Sequence, residues 1–430
     1  MNDMPRYRTV AGCALLLASL GAGAAACGGT DSGKLSSHPY DAADQVSFGV
    51  AKDHKKPVPL TKPLEITSND GDGRITDVTA VDTAGHHLAG ELAADGQRWH
   101  STAPLTAGTH YTVRVSTEDD DGKPGTRRLS FDTAPPPSKK QLKVTFGPNA
   151  GEYGVGEPIT AQLSAPVKAP AARAVVERSL KVTSVPATQG SWYWVDSTHL
   201  HYRPEAYWPA HASVKASSNL AGVKVDGKLY GGASKPLSIT TGDRLIAVTD
   251  ASSHRMTVYR NGKEINDLPV TTGKPGFETR DGVKVVLEKQ AFVQMRSATV
   301  GIAAGSSDSY DLPVHWATRV TWSGEYVHAA PWSVGSQGSA NVSHGCTGMS
   351  TDDAEWFFNA VRPGDVVKVE NSGGDEMEHF GNGFGDWNLD WKDWLKGSAI
   401  QGGGSSTGTG KSADNSAQNV VQASRLRPAV

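Results

Sequence analysis

The stretch Tyr326-Val327-His328-Ala329-Ala330-Pro331-Trp332, followed by Ser343-His344-Gly345-Cys346-Thr347-Gly348-Met349-Ser350, decides how this chain is read. Residues 326–328 are strand-like, and His328 falls near that strand's end. Downstream, Ser350 suits a helix N-cap. Asp352, Asp353 and Glu355 suit the positive end of a helix dipole over 351–361, with Trp356, Phe357 and Ala360 on the apolar face. Arg362-Pro363-Gly364 stops that helix, and 365–369 returns as a strand. A free thiol with a pKa of ~8.5 is mostly protonated at neutral pH, so a nucleophilic cysteine needs an imidazole or a helix N-terminus beside it. Here Cys346 has both within reach: His328 on the strand and the helix that starts a few residues on. Gly345 permits a sharp turn that leaves backbone N–H groups uncovered for an oxyanion. Three other readings stay open. One is a buried inert cysteine, against which the polar, glycine-rich flanks speak. Another is a zinc site of His328, His344 and Cys346, which lacks a fourth ligand at a familiar spacing. The third makes both histidines structural, which suits His344 better than His328.

Around this stretch lies a unit over 243–370. Segments 245–249 and 256–260 are strand-like, and Asn261-Gly262 is the favoured pair for a type I′ hairpin turn. Further strands are expected at 283–288 and 319–322. Upstream, 61–137 shows short alternating runs such as Ile75-Thr76-Asp77-Val78-Thr79 between Gly, Asp and Asn clusters, the pattern of a β-sandwich. Pro135-Pro136-Pro137 closes it as a stiff linker. A second β-rich unit spans 138–242. Its aromatics, Trp192-Tyr193-Trp194 and Tyr207-Trp208 among them, are read as core rather than as a sugar-stacking surface. Downstream, Trp387, Trp391 and Trp394 recur at i, i+4 and i+7. They mark a short amphipathic helix in a segment, 371–397, expected to dock on the preceding domain. Residues 398–430 are Gly-, Ser- and Asn-rich and expected to be disordered.

The 430 residues suggest about three domains at roughly 150 each. Gly 48 and Pro 24 are high against ordinary usage, which disfavours a helical bundle. A net charge of −3 carries no electrostatic footprint for nucleic acid. Residues 1–27 open with Arg6 and Arg8, continue as an apolar run and end in small residues, the pattern of an export signal. That run closes on Ala24-Ala25-Ala26-Cys27-Gly28, which resembles a bacterial lipobox and makes Cys27 the expected lipidation site. Residues 28–60 are then expected to form a flexible tether to the outer face of the membrane. Of three cysteines, Cys13 leaves with the signal and Cys27 carries lipid, so Cys346 has no disulfide partner and invites a catalytic reading.

At His328 and Ser343-His344-Gly345-Cys346 the chain resembles the L,D-transpeptidases, cell-wall enzymes with a YkuD-type catalytic domain. The family signature is a histidine, a gap, then Ser/Thr-His-Gly-Cys, and here residues 329–342 form the gap. The likeness is closest to actinobacterial lipoprotein members with two immunoglobulin-like domains. It implies a mainly β protein: two such sandwiches, then a β-rich catalytic domain with one main helix and a short C-terminal helix. It implies Cys346 as nucleophile, His328 as general base and acid, and His344, Gly345 and Cys346 as the oxyanion loop. Tyr310, Met295, Trp332, Ser343 and Thr347 are implied substrate contacts. The implied reaction joins peptidoglycan stem peptides, donor and acceptor, through a cysteine thioester, with release of terminal D-alanine. Carbapenem β-lactams are the implied covalent inhibitors, and no metal or organic cofactor is implied. The sequence departs from the family at Gly348, commonly Asn or Arg, and at Ala329, often Ser. Two alternatives stay open: water as acceptor, giving an L,D-carboxypeptidase, and a non-catalytic wall-binding lipoprotein.

Overall fold

A computed structural model describes residues 38–49, 57–60, 63–69, 73–137, 140–303 and 305–401. The signal, Cys27 and nearly all of the tail lie outside the described residues.

The first sandwich pairs two sheets. One runs Tyr40–Asp41, Pro124–Asp132, His110–Glu118, Arg74–Asp82; the other runs Val46–Phe48, Glu65–Ser68, Arg98–Ser101, Gly90–Leu92. Alternation drives it: in His110–Glu118 every second residue is buried, and Tyr111, Val113 and Val115 join Ile66, Trp99 and Phe131 in the core. One expectation is corrected here. Residues 40–41 and 46–48 belong to this sandwich, although 28–60 was read as tether, because short strands with one or two apolar residues carry little periodic signal.

The second sandwich faces Val144–Gly147, Ile159–Leu163, His199–Pro204 and Gly190–Trp194 against Gly151–Tyr153, Leu237–Thr241, Ser213–Ser218 and Leu180–Val185. It contains helix α1, Pro170–Ser179, which the sequence reading missed. Proline at its start suits a first helical turn. Trp192 and Trp194 are buried, as core packing requires.

The third unit has a five-stranded sheet, Lys263–Pro269, Arg255–Arg260, Leu245–Asp250, Val366–Glu370, Gly282–Val285. A second sheet orders Glu288–Arg296, Asp311–Arg319, Tyr326–Ala329 and Thr347–Met349. Asn261 and Gly262 both have positive φ, 51° and 82°, as a type I′ turn demands. Helix α2, Thr351–Ala360, begins where expected: Ser350 Oγ accepts the Asp353 N–H at 3.1 Å. Its Phe357 and Ala354 pack into the core between the sheets.

The segment after Glu370 docks on the third unit as expected, through Met377 N–H to Asp281 O and Asn388 to Val283, but helix α3, Trp391–Lys396, rests on the second sandwich. The Arg203 guanidinium lies 5.0, 5.4 and 4.4 Å from the Trp387, Trp391 and Trp394 rings. Trp394 Nε1–H donates to Ser191 O at 3.0 Å, and His201 meets buried Asp386 at 2.7 Å. Three tryptophans on one side of a short segment signal a partner surface without saying which; a buried arginine, able to stack on aromatic faces, selects it.

Candidate active site

Parallel pairing of Tyr326–Ala329 with Thr347–Met349 sets His328 opposite Gly348. Residues two apart on a strand share a face, so Cys346 and Gly348 look toward the same side as His328. All three line one pocket, with Met295, Tyr310, Trp332, Ser343 and His344 around them. Thr347, expected as a substrate contact, is corrected: it is buried and is not among the residues lining the pocket, because alternation turns it to the opposite face. Thr271, Leu312, Val314, Ala330, Ser333 and Val342 also line the pocket and were not expected. The period of two through Tyr310, Leu312 and Val314 was the available signal. Trp332 is 53% exposed at the rim, its ring 6.1 Å from that of His328.

The imidazole is fixed by its neighbour's backbone. His328 Nδ1 lies 2.8 Å from Ala329 O. A carbonyl only accepts, so Nδ1 carries the proton and the neutral ring keeps Nε2 as a lone-pair base. The missing serine at position 329 therefore removes nothing from this contact. Burial holds the His328 pKa below its ordinary value, which favours that neutral form.

Cys346 is half-buried and, among the described residues, is in no disulfide. Its Sγ lies 3.6 Å from Gly324 O, to which the thiol donates. Burial pushes the thiol up to about 12. The Tyr326 backbone N–H and the charges of Lys284 and Arg319 pull it down, while Glu325 pushes it up. α2 caps its Asp353 N–H on Ser350, and burial raises the thiol more than the nearby cations lower it. Both shifts favour a thiol beside a neutral imidazole over the thiolate expected from the sequence.

The loop around the cysteine is braced from both sides. Gly345 has φ +114°, a conformation that requires glycine. Its N–H, expected to face an oxyanion, is bound at 3.1 Å by Ser343 Oγ, which itself donates to Cys346 O at 2.6 Å. The Gly345 carbonyl accepts from Thr279 Oγ1 at 2.9 Å. Behind Thr279 sits a buried ion cluster. Lys284 Nζ is 2.6 Å from Glu325, which also accepts from the Arg280 guanidinium at 3.2 Å. The His344 ring sits between Phe277, which it meets edge-on, and Tyr310, which is tilted against it, with ring centres 4.8 and 5.2 Å away. Among the described residues no cluster of three His, Cys, Asp or Glu groups is placed to hold a metal ion.

At Gly348 the backbone pairs with Thr271 in both directions, 2.9 and 2.8 Å. A Cβ there would stand 3.0 Å from Ala330 Cβ and 3.1 Å from Thr271 Cγ2. At this departure from the family, therefore, Gly348 lines the pocket at a point where a side chain would crowd Ala330 and Thr271.

Comparison with known proteins gives the family of the chain. Residues 55–224 match the bacterial Ig domain family and residues 244–369 the L,D-transpeptidase catalytic domain family. Over 343 residues, 80% of this chain and 82% of the relative, the chain is 34% identical to L,D-transpeptidase 2 of Mycobacterium tuberculosis. It is 42% identical over 221 residues to L,D-transpeptidase 1 of the same organism, covering 51% of this chain and 81% of that one. A solved LD transpeptidase in complex with imipenem is 40% identical and covers 53% of this chain and 98% of its own, with a TM-score of 0.46. An Ig-like region followed by a YkuD-type domain defines an acyltransferase-type enzyme of the cell wall. The chain belongs to the L,D-transpeptidase family.

Proposed function

We propose that Cys346 is the nucleophile and His328 the general base and acid of a two-step acyl transfer between peptidoglycan stem peptides. The observation that carries this reading is the shared pocket of the two side chains, with the His328 ring locked by Ala329 O so that Nε2 is the basic nitrogen. Because the resting cysteine is a thiol, proton transfer to Nε2 accompanies attack rather than preceding it. Sγ adds to the carbonyl of the diamino acid at stem position three. His328 then gives the proton to the departing amine of D-alanine, leaving a thioester. An amine of a neighbouring stem attacks the thioester, its proton passes through His328, and the Cys346 thiol is restored with a 3→3 cross-link formed. Loop amides of His344, Gly345 and Cys346 serve the oxyanion, with Ser343 Oγ releasing the Gly345 N–H as charge develops. Tyr310, Met295 and Trp332 border the donor stem. The strained carbonyl of a carbapenem is attacked by the same thiol.

Lipidation at Cys27 after signal removal is part of the proposal, anchoring the enzyme on the outer face of the cell membrane. The sandwiches then act as spacers that set the height of the active site in the wall. The test is incubation of the full-length chain with tetrapeptide muropeptides, followed by mass analysis. Cross-linked dimers with loss of D-alanine are expected, and none with Cys346→Ala. Tripeptide product alone would replace transfer by hydrolysis, and product from Cys346→Ala would sink the assignment.

A further inference from the structure

The loop joining Glu288–Arg296 to Asp311–Arg319 carries a carboxylate that the reaction above does not use. Asp308 Oδ1 lies 2.6 Å from Lys274 Nζ and 3.5 Å from His344 Nε2. That Nε2 is buried, and among the described residues it has no hydrogen-bond partner besides this long contact to Asp308. Lys274 is itself fixed to the cysteine loop: its backbone N–H donates to Ser343 O at 2.9 Å, and its ammonium lies 5.2 Å from the Phe277 ring. On the other side Tyr310 packs tilted against the His344 ring, and the Tyr310 carbonyl accepts the Ser297 N–H at 2.9 Å, closing the loop at its base. Asp308 is therefore the charged link between this loop and the segment that holds Ser343 and Cys346. It stands two residues from Tyr310, which lines the pocket.

We propose that Asp308 is a positioning residue for the acyl donor: anchored on Lys274 and facing the buried Nε2 of His344, it holds Tyr310 and the His344 ring against the pocket around Cys346. The proposal rests on the reading that the donor is bound there. Asp308 acts through Tyr310 and His344 and touches no reacting atom. Losing it loosens donor binding without altering the thiol-imidazole pair. With both charged groups about one-third exposed, the pair is worth a few-fold in binding rather than orders of magnitude.

The full-length chain is compared with Asp308→Asn, Lys274→Met, Asp308→Glu and the charge-reversed Asp308→Lys/Lys274→Asp. Imipenem acylation is followed by stopped-flow absorbance and intact-protein mass. Asp308→Asn and Lys274→Met are expected to raise the half-saturating imipenem concentration about threefold to fivefold and to leave the limiting rate within about twofold. Asp308→Glu and the reversed pair are expected to recover most of the loss. Iodoacetamide, too small to need the pocket wall, should alkylate Cys346 at an unchanged rate. Hydrogen exchange at the Ser297, Ser306 and Ser309 amides should quicken in Asp308→Asn and return in the reversed pair. An unchanged half-saturating concentration, a reversed pair no better than its single variants, or a loss confined to the limiting rate would overturn the proposal. If the unaltered chain forms no adduct, the Cys346 assignment fails separately, and the exchange measurement alone decides: faster exchange with recovery supports the link, and unchanged exchange removes it.

Discussion

Lys284→Met probes the brace beneath the cysteine loop. Lys284 is fully buried, its Nζ 2.6 Å from Glu325 and 2.7 Å from the Arg280 carbonyl. At that separation two unit charges attract by about 6 kcal/mol for an effective dielectric of ~20. Desolvation of the ammonium, which holds the Lys284 pKa below its ordinary value, offsets much of that. Removing one partner of a buried pair typically costs about 3–5 kcal/mol. Glu325 keeps the Arg280 guanidinium at 3.2 Å and its backbone N–H at 3.0 Å, which places the expected loss at the lower end, ~3 kcal/mol. For a domain of this size that lowers the midpoint of its unfolding by about 10 °C in differential scanning calorimetry. Acylation should slow as well, because Thr279, in the same segment, holds both the Gly345 carbonyl and the Gly273 N–H. The companion Lys284→Met/Glu325→Leu removes both charges and should regain part of the midpoint, since a buried pair is replaceable by apolar groups. A shift below about 2 °C for Lys284→Met, or a double variant less stable than the single, would refute the reasoning.

Iodoacetamide alkylation of Cys346 should rise roughly tenfold per pH unit between about pH 6 and 9 without levelling, because only the thiolate reacts and burial raises the thiol pKa. A plateau near neutrality would mean a preformed thiolate. Gly348→Asn should lower stability by about 1–2 kcal/mol through crowding at Ala330 and Thr271, and weaken imipenem binding by narrowing the pocket. Calorimetry and adduct titration that both match the unaltered chain would count against a tight wall. Trp394→Ala removes a fully buried ring and should cost about 3–5 kcal/mol, freeing the C-terminal segment from the second sandwich. Protease resistance of that segment equal to the unaltered chain would exclude the clamp.

Local patterns were legible where they are strong. The Asn261-Gly262 turn, the Ser350 cap and the alternation of the long strands announce themselves, because each depends on residues within one or two turns of chain. Helix α1 and the strands Tyr40–Asp41 and Val46–Phe48 did not, since they are short and held by distant partners. In the site, Cys346 and His328 were found by residue chemistry and spacing. Thr347 was misassigned for want of its side of the strand, and Leu312, Val314 and Thr271 were overlooked because a pocket is assembled from segments far apart.

By itself the sequence determined the candidate pair Cys346 and His328, the β-rich class and the order of the units, all properties of residue type, periodicity and motif. Tertiary structure alone decided which protonation states the site favours. Desolvation is set by what surrounds Cys346 and His328, and it favours a thiol and a neutral imidazole where sequence chemistry anticipated an ion pair. It also decided where the tryptophan helix rests, because Arg203, the residue that receives it, stands on a different domain nearly two hundred positions earlier in the chain.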